Sequence, residues 1–253
     1  MERPDAFEIS IVRDFTRQIW HPFQKGLQDY EMVRPGDRIA VGVSGGVDSL
    51  LLAKCMRRQA RYSHTPFEVV CVTLDTGQGR ALLDANAQRL SLPLEIIQAD
   101  SAGVSALCDA ARALHCSKLA LGQHFDDLTE NILAGMLFAG KIAMQLPQEE
   151  CGGVRVIRPL CLVRERDILA WQAANALECP PPDPVSDAQL QAREIIARIH
   201  ETSPAADRNI FRAMENVNLN TVISYTNGAV SHHFLDDFAS GITNHGTRSG
   251  EGR

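Results

Sequence analysis

One short segment of the chain has the composition of an anion-binding loop. Ser44-Gly45-Gly46-Val47-Asp48-Ser49 follows an apolar run and precedes a stretch with helical spacing. Two adjacent glycines let the backbone approach an anion closely, and the free N–H groups of the next helix point to the same place. Ser44 and Ser49 add hydroxyl donors, whereas the Asp48 carboxylate repels a phosphate unless a divalent cation lies between them. The segment predicts a phosphate site in which Asp48 binds Mg²⁺ or organises the loop; the alternative is a tight turn with a serine cap.

A second group of polar residues follows a later apolar run. It reads Leu121-Gly122-Gln123-His124-Phe125-Asp126-Asp127. In an open parallel sheet, ligands bind beyond the carboxyl ends of the strands, so we expect Ser44, Leu74-Asp75 and Gly122-Gln123-His124 around one crevice. The two aspartates there could hold Mg²⁺, although Asp126 could instead be the N-cap of the helix that follows.

The elements that position these residues alternate between short β-rich runs and longer helical patterns. Near-continuous apolar runs are typical of strands in a sheet that is covered on both faces. The pattern predicts an α/β fold with a doubly wound, mostly parallel sheet of five strands: Arg38–Val43, Phe67–Leu74, Leu94–Ala99, Lys118–Gly122 and Val154–Ile157. Helices are predicted between or after them at Ser49–Gln59, Leu82–Leu90, Val104–Leu114, Asp127–Phe138 and Arg164–Leu177.

The two ends of the chain have a different organisation. We expect an N-terminal helical segment over residues 1–35, the α/β domain over 36–177, and a helical extension over 178–238. The extension begins with Glu178–Pro184, where four prolines exclude a helix, and continues in helices at Asp187–Glu201 and Ala205–Val217. Residues 239–253 are small and polar and are expected to be disordered.

The composition limits the class of protein. Of 253 residues, 45% are hydrophobic and 22% are charged, which is typical of a chain that buries a globular core. No apolar run is long enough for a transmembrane helix, and no basic leader precedes an apolar stretch, so we expect no membrane association and a cytoplasmic location. The net charge of −6 argues against binding nucleic acid with the whole surface, but it leaves room for a local basic groove.

The glycine loop differs from two common nucleotide-binding motifs. It lacks the Gly-Lys-Ser/Thr of P-loop proteins and the Gly-x-Gly-x-x-Gly of dinucleotide-binding folds. It resembles the Ser-Gly-Gly-x-Asp-Ser signature of the PP-loop ATP pyrophosphatase superfamily, whose members split ATP between the α and β phosphates and adenylate a substrate. The resemblance implies an adenine nucleotide alpha-hydrolase-like fold with ATP and Mg²⁺ as cofactors.

The same resemblance implies roles for particular residues. The phosphates would be bound by Ser44, Gly45, Gly46, Asp48 and Ser49. The remainder of the nucleotide would be bound by Leu74, Asp75, Gly122 and His124. Three carboxylates would be catalytic and would hold the metal ion: Asp48, Asp126 and Asp127.

Further motifs indicate a branch of this superfamily. Residues 122–127 are similar to the Gly-His-His-x-Asp-Asp motif of the tRNA-thiolating and lysidine-forming enzymes, with Gln123 in place of the first histidine. Ile157-Arg158-Pro159-Leu160 and the Arg164-Glu165 that follows resemble a stretch of the tRNA 2-thiocytidine (TtcA-type) enzymes. This resemblance implies tRNA as a partner. Because Arg158 lies at a strand end near the crevice, we expect it to contact a phosphate or the substrate.

The cysteines depart from that family. Its members hold an iron–sulfur cluster with close cysteine pairs, but none of the seven cysteines here belongs to a Cys-x-x-Cys pair. The stretch from Asp100 to Cys116 passes directly into a helix, where we expect Cys108 and Cys116 to be packed. We therefore expect no iron–sulfur cluster in this chain. Cys179 could be a lone nucleophile or sulfur carrier, or an inert loop cysteine.

Three functions remain open from the sequence. The first is an ATP-dependent enzyme that adenylates its substrate and releases pyrophosphate, in tRNA 2-thiolation. The second is a degenerate nucleotide-binding homologue without thiolase activity, which the missing cysteine pairs favour. The third is a PP-loop enzyme that acts on a different substrate. The oligomeric state also remains open, with a homodimer as one option.

Overall fold

A parallel β-sheet forms the centre of the protein. The computed structural model describes residues 5–76, 80–182 and 184–239. Five parallel strands form the sheet: β1 (Arg38–Gly42), β2 (Glu68–Asp75), β3 (Leu94–Gln98), β4 (Lys118–Ala120) and β6 (Val154–Ile157). Each coincides with one of the five predicted strands to within two residues at either end. The α/β class and the mostly parallel sheet are therefore confirmed.

A sixth strand corrects the predicted count. The strand β5 (Gln148–Cys151) pairs antiparallel with β6 at the edge of the sheet. The turn between the two strands contains Gly152 and Gly153, whose φ values of +58° and +80° suit a tight hairpin. An edge strand has one neighbour and can carry polar side chains, so Gln-Glu-Glu-Cys gave no apolar signal.

The order of the strands creates a switch point. The sheet runs β3-β2-β1-β4-β6-β5, so the chain leaves β1 toward one edge and later returns to its other side at β4. The carboxyl ends of β1 and β4 thus diverge from one another. Such a point is where open α/β sheets bind their ligands.

Helices cover the sheet and supply the rest of the core. They are α3 (Val47–Tyr62), α4 (Arg80–Arg89), α5 (Val104–Ala113), α6 (Phe125–Phe138), α7 (Glu165–Ala174), α8 (Asp187–His200) and α9 (Ala206–Glu215). Half of α3 is buried, and Leu50, Leu51 and Leu52 are fully inaccessible to solvent. In the described part of the chain, no helix has the length and apolarity needed to cross a bilayer.

The N-terminal segment is almost continuously helical. It comprises α1 (Ala6–Ile9), two π-helical turns (Ser10–Asp14 and Thr16–Trp20) and α2 (His21–Asp29). Ile11, Ile19 and Phe23 are fully buried in the same hydrophobic cluster as α3. These residues of the segment therefore contribute to the main core, and its predicted boundary at residue 35 remains a prediction.

The chain divides into two compact units between Phe211 and Arg212. The described part of the second unit contains the end of α9, a 3₁₀ turn (Leu219–Thr221), a hairpin of β7 (Ser224–Asn227) and β8 (Val230–His233), and α10 (Phe234–Ala239). The sequence predicted helices alone for this region, so the hairpin was missed. The domain boundary at residues 177–178 remains a prediction, and the predicted disordered tail lies outside the described residues from residue 240 onward.

Candidate nucleotide-binding site

A cavity of about 530 Å³ opens at the switch point. It lies at the carboxyl ends of β1, β2 and β4, where the sequence places most of the candidate residues. Its walls include Ser44, Gly46, Asp48, Ser49, Leu74, Asp75, Gly122 and Asp127 from the predicted set. Gln123, which we also expected at the crevice, lines the cavity as well. Thr73, Arg80, Gly103 and Leu107 contribute too and were not predicted. The volume is in the range of small-molecule and cofactor sites.

The phosphate loop, residues 44–49, is held in shape by its own serines. The Ser49 hydroxyl donates to the Gly46 carbonyl at 2.8 Å and accepts from the Ser44 backbone N–H at 3.1 Å. Gly45 has φ +96°, a left-handed conformation that favours glycine. No side chain caps α3, so its first N–H groups open toward the cavity. The loop can therefore bind an anion with its backbone and the positive end of the helix dipole.

Gly122 allows β4 to approach this loop closely. A Cβ at this position would lie 3.2 Å from the Asp48 carbonyl carbon and 3.2 Å from the Ser49 nitrogen. Both of these neighbours are backbone atoms, which cannot move aside cheaply. A side chain at this position would have to push these two walls of the cavity apart by a few tenths of an ångström.

Asp48 lies in the first turn of α3 and lines the cavity. Burial raises the pKa of its carboxyl; His124 opposes this shift, and Asp127 and Glu165 add to it. A buried carboxylate with further carboxylates nearby is the kind of site that a cation stabilises. Asp48 and Asp127 would provide two oxygen ligands for Mg²⁺, and phosphate oxygens and water could complete the shell.

The described residues contain no group of three or more histidine, cysteine, aspartate or glutamate side chains that could hold a metal ion without a substrate.

Asp126 does not line the cavity, and its carboxylate instead contacts the start of α7. Its carboxylate accepts the Glu165 backbone N–H at 2.7 Å and forms an ion pair with Arg164 at 3.2 Å. In this arrangement Asp126 fixes the start of α7, and its predicted roles in catalysis and metal binding remain predictions.

His124, and not Asp126, is the N-cap of α6. Its Nδ1 accepts from the Asp127 backbone N–H at 3.2 Å, and the Asp127 carboxylate accepts from the His124 backbone N–H at 3.1 Å. This reciprocal pair is a capping box. The suggestion that Asp126 caps the helix is therefore wrong, because the helix begins two residues earlier than expected. His124 is 3% exposed and does not line the cavity, so its predicted contact with the nucleotide remains a prediction.

An arginine joins three helices beside the cavity. Arg164 pairs with Asp126 and with the buried Asp207 of α9, and its guanidinium lies 4.7 Å from the centre of the Phe125 ring. We call Phe125, Asp126, Arg164 and Asp207 the Arg164 cluster. Burial alone would raise the pKa of Asp207, but Arg164 and the Arg208 backbone N–H outweigh it, and the pKa is lowered. The cluster ties α6, α7 and α9 together through charge.

A second buried carboxylate attaches α8 to α6. Glu130 is 4% exposed and accepts from Arg193 at 2.7 and 3.2 Å and from Gln189 at 3.2 Å. Burial nevertheless raises the pKa of Glu130, because Arg193 and Gln189 compensate only part of the desolvation cost. The predicted helix at Asp187–Glu201 therefore lies against the helix that carries Asp127.

Leu74 and Asp75 form the wall at the end of β2. The Asp75 carboxylate accepts from Arg80 at 3.0 Å and from Gln98 at 3.2 Å, so it is anchored on both sides. Arg80 brings a positive charge to the wall of the cavity. The sequence gave no signal for Arg80, because it follows the strand at a distance that no short motif defines.

Arg158 is placed differently from the sequence expectation. It is 2% exposed, and it donates to Gln123 Oε1 at 2.8 Å, to the Leu146 carbonyl at 2.6 Å and to the Glu149 carboxylate. Its guanidinium is engaged within the protein, while Gln123 lines the cavity. Direct contact between Arg158 and a substrate remains a prediction.

The cysteines are dispersed. Cys55, Cys71, Cys108, Cys116 and Cys161 are buried, so the expected packing of Cys108 and Cys116 is confirmed. Burial, with a contribution from Cys151, raises the pKa of Cys108 to about 12. Burial and the charge of Asp48 raise the pKa of Cys179, which lowers its thiolate fraction. Cys108 and Cys151 interact with each other, but the described residues contain no group of three or more cysteine, histidine or carboxylate side chains that could hold a metal ion.

The histidine pair of the second unit is not a metal site within the described residues. His232 stacks on Tyr225 across the hairpin, with ring centres 4.7 Å apart. The His233 ring lies 4.9 Å from the ring of Phe234. Each ring therefore has its own aromatic partner.

A switch-point cavity with a glycine loop at a helix start defines an α/β nucleotide-binding protein of the open-sheet class. A family model described as a PP-loop domain matches residues 13–180. The chain belongs to this PP-loop family, as its Ser-Gly-Gly-x-Asp-Ser loop suggested, and it is an enzyme of the ATP-binding PP-loop type.

Curated relatives and a solved structure agree with this assignment. The chain is 29% identical to a tRNA-cytidine(32) 2-sulfurtransferase of Geobacter sulfurreducens, over 79% of this chain and 90% of the relative. It is 30% identical to a protein of the same name from Pelobacter propionicus, over 79% and 86%. The U34-tRNA thiolase NcsA from Methanococcus maripaludis, solved with its 4Fe-4S cluster, has the same fold, with a TM-score of 0.57 and 15% identity over 79% of each chain.

Proposed function

We propose that this protein is a cytoplasmic tRNA 2-thiolase that uses ATP·Mg²⁺ to adenylate a cytosine in tRNA. The observation that carries the proposal is the cavity at the ends of β1, β2 and β4, which joins the phosphate loop to Asp48 and Asp127. The relatives named tRNA-cytidine(32) 2-sulfurtransferase supply the substrate class. ATP·Mg²⁺ is proposed as the cofactor because the phosphate loop and the two carboxylates suit a nucleotide with a bound Mg²⁺.

The chemistry follows from the product named for those relatives. A sulfur can replace the 2-oxygen of cytosine only if that oxygen becomes a leaving group. The 2-oxygen attacks the α-phosphorus of ATP, the bond between the α-phosphorus and the bridging oxygen breaks, and pyrophosphate leaves. A hydrosulfide-type donor then attacks C2, the C2–O bond breaks, AMP leaves with the original oxygen, and the sulfur loses its proton to solvent.

The residues of the cavity would serve this reaction by position and charge. The phosphate loop would bind the triphosphate through backbone N–H groups and two serine hydroxyls. Asp48 and Asp127 would hold Mg²⁺, which would supply charge neutralisation for the pyrophosphate. Gly122 keeps β4 close to the loop, which leaves space for the base on the Gln123 side of the cavity.

Titration calorimetry and a pyrophosphate assay test the proposal together. We expect the wild type to bind ATP with Mg²⁺ and to release pyrophosphate faster when tRNA bearing cytidine 32 is added. Asp48→Asn should lower the turnover about 100-fold or more, because it removes a charge from the metal site. Asp14→Asn, which changes an exposed aspartate of the N-terminal segment, is the matched control and should retain wild-type turnover.

Two results would contradict the proposal in different ways. A wild type that binds ATP but releases no pyrophosphate would favour the nucleotide-binding homologue without thiolase activity. Pyrophosphate release that tRNA does not stimulate would favour a PP-loop enzyme with another substrate. The lack of a described cysteine group for a cluster makes the first of these the main alternative.

A further inference from the structure

The guanidinium of Arg158 is buried below the wall of the cavity. With 2% exposure it makes three side-chain hydrogen bonds, from Nε to Gln123, from Nη1 to the Leu146 carbonyl and from Nη2 to Glu149. The Arg158 backbone N–H also donates to the Pro147 carbonyl at 2.9 Å. An arginine bonded on this many sides holds its partners in fixed positions.

Its contact with Gln123 fixes the orientation of that side-chain amide. A guanidinium can donate hydrogen bonds but cannot accept them. The atom of Gln123 that lies 2.8 Å from Arg158 Nε must therefore be the oxygen, and the amide cannot be turned over without losing this bond. The Gln123 amino group consequently faces away from Arg158.

The Gln123 side chain is part of the cavity wall. Gln123 lines the cavity next to Gly122, which touches the backbone of the phosphate loop. Among the described residues, Nε2 has one partner, the Gln145 side-chain oxygen, at a long 3.4 Å. An amino group has two N–H donors, so one of them remains for a ligand.

We propose that Gln123 is a substrate-binding residue that donates from Nε2 to the acceptor edge of the target cytosine, with Arg158 as its positioning residue. The inference rests on the proposed function and adds the group that recognises the base. Cytosine presents two neighbouring acceptors, O2 and N3, beside the reacting carbon. In uracil N3 carries a hydrogen, which would face the fixed donor, so this amide favours cytosine over uracil.

The decisive variant is Gln123→Glu, which keeps the shape of the side chain and its bond to Arg158 but replaces the donor with an acceptor. We expect kcat/KM for tRNA to fall about 10- to 100-fold, because a substrate acceptor loses its donor and faces a carboxylate. The Kd for ATP and the melting temperature should stay close to the wild-type values. Gln145→Glu is the matched control. It adds the same charge at the residue that contacts Gln123 Nε2 and leaves the Gln123 amide intact, so its kcat/KM should stay near that of the wild type.

Arg158→Lys tests the positioning role. It keeps the charge but loses the planar guanidinium, so the Gln123 amide can rotate and kcat/KM for tRNA should fall about tenfold. In the Gln123→Glu background the same change should have little further effect on kcat/KM, since the donor it orients is gone. A purely structural arginine would give additive losses and would lower the melting temperature equally in both backgrounds.

The outcomes separate this inference from the proposed function. If the wild type shows tRNA-dependent turnover and Gln123→Glu retains it, the inference is wrong and the function stands. If Gln123→Glu weakens ATP binding instead of tRNA turnover, the donor contacts the nucleotide and the inference is wrong as well. If the wild type binds ATP but tRNA has no effect on turnover, the proposed function and the inference both fail.

Discussion

The two sides of the cavity are built in different ways. The phosphate loop side consists of backbone: Gly45 in a left-handed conformation, two serines that bond to the loop itself, and Gly122 in close contact with it. The opposite side, at the start of α6, depends on the Arg164 cluster, in which one arginine pairs with carboxylates from two other helices. One side is stabilised by local geometry and the other by charge between distant residues.

Because the two sides differ in this way, substitutions on one side should change mainly ligand binding, and substitutions on the other should change mainly stability. Changes to the backbone-built side should affect nucleotide affinity more than folding, because most residues of the loop line the cavity. Changes to the charged side should affect folding more than affinity, because unpaired buried charge is costly wherever it lies. The following predictions test that separation, in order of decreasing effect.

The largest effect is expected from Arg164→Ala. It leaves Asp207, whose side chain is 3% exposed, without its arginine, and should lower the free energy of unfolding by about 2–4 kcal/mol. Chemical denaturation measures the loss. Arg166→Ala is the matched control two residues away, since Arg166 is 73% exposed and pairs with Asp167 at a long 3.9 Å. Equal losses for the two variants would contradict the importance of the cluster.

A smaller effect on folding, with a clear effect on ligand binding, is expected from Gly45→Ala. A Cβ at φ +96° costs about 1–2 kcal/mol, and relaxation of the loop to avoid it should weaken ATP binding about tenfold. Gly36→Ala provides the control, because Gly36 has φ +82° but is not part of the phosphate loop. Calorimetry should find unchanged ATP affinity for Gly36→Ala alongside a similar loss of stability. Normal ATP affinity in Gly45→Ala would refute the proposed loop function.

The smallest effect, and one that depends on pH, is expected from Glu130→Gln. Because the pKa of Glu130 is raised in the folded protein, its ionisation costs stability as the pH rises from the unfolded value toward the folded one. Removing the charge should therefore leave the melting temperature unchanged below pH 4 and raise it slightly at pH 7. The corresponding gain in the free energy of unfolding at pH 7 should be less than about 1 kcal/mol.

Asp207→Asn is the opposite case and serves as the control for Glu130→Gln. The lowered pKa of Asp207 means that its ionised form contributes stability above its unfolded pKa, and this contribution is lost as the pH falls through the folded pKa. Asp207→Asn should thus destabilise the protein at pH 7 and have little effect in strong acid. Melting curves from pH 3 to pH 8 would disprove the assignment if both variants shifted in the same direction.

The same division explains what the sequence could predict. The phosphate loop, the five parallel strands and the PP-loop family follow from contiguous patterns, in which neighbouring residues carry the information. Strand β5 was missed because an edge strand needs no apolar run, and the hairpin of β7 and β8 because short polar strands resemble loops. Local propensity does not register such pairings.

Side-chain partners at long separation were also beyond the sequence. The pairing of Arg158 with Gln123 joins residues 35 apart, and Arg164 and Asp207 are 43 apart. Nothing in the spacing distinguishes an arginine that contacts a ligand from one that orients another side chain. Gln123 itself had a signal, since it stands where the resembling motif has histidine, but its role required the geometry of Arg158.

The buried ammonium of Lys54 has a practical consequence for anyone who prepares this protein. Lys54 lies on α3, the helix that begins in the phosphate loop, and its Nζ contacts Asp5, Glu8 and the Leu90 carbonyl, with Glu8 1% exposed. An expression clone that starts at residue 10 would lack Asp5 and Glu8, and the buried Lys54 ammonium would lose both of its carboxylate partners. The choice of the start codon would then decide whether the helix that follows the phosphate loop keeps the charge partners of its buried lysine.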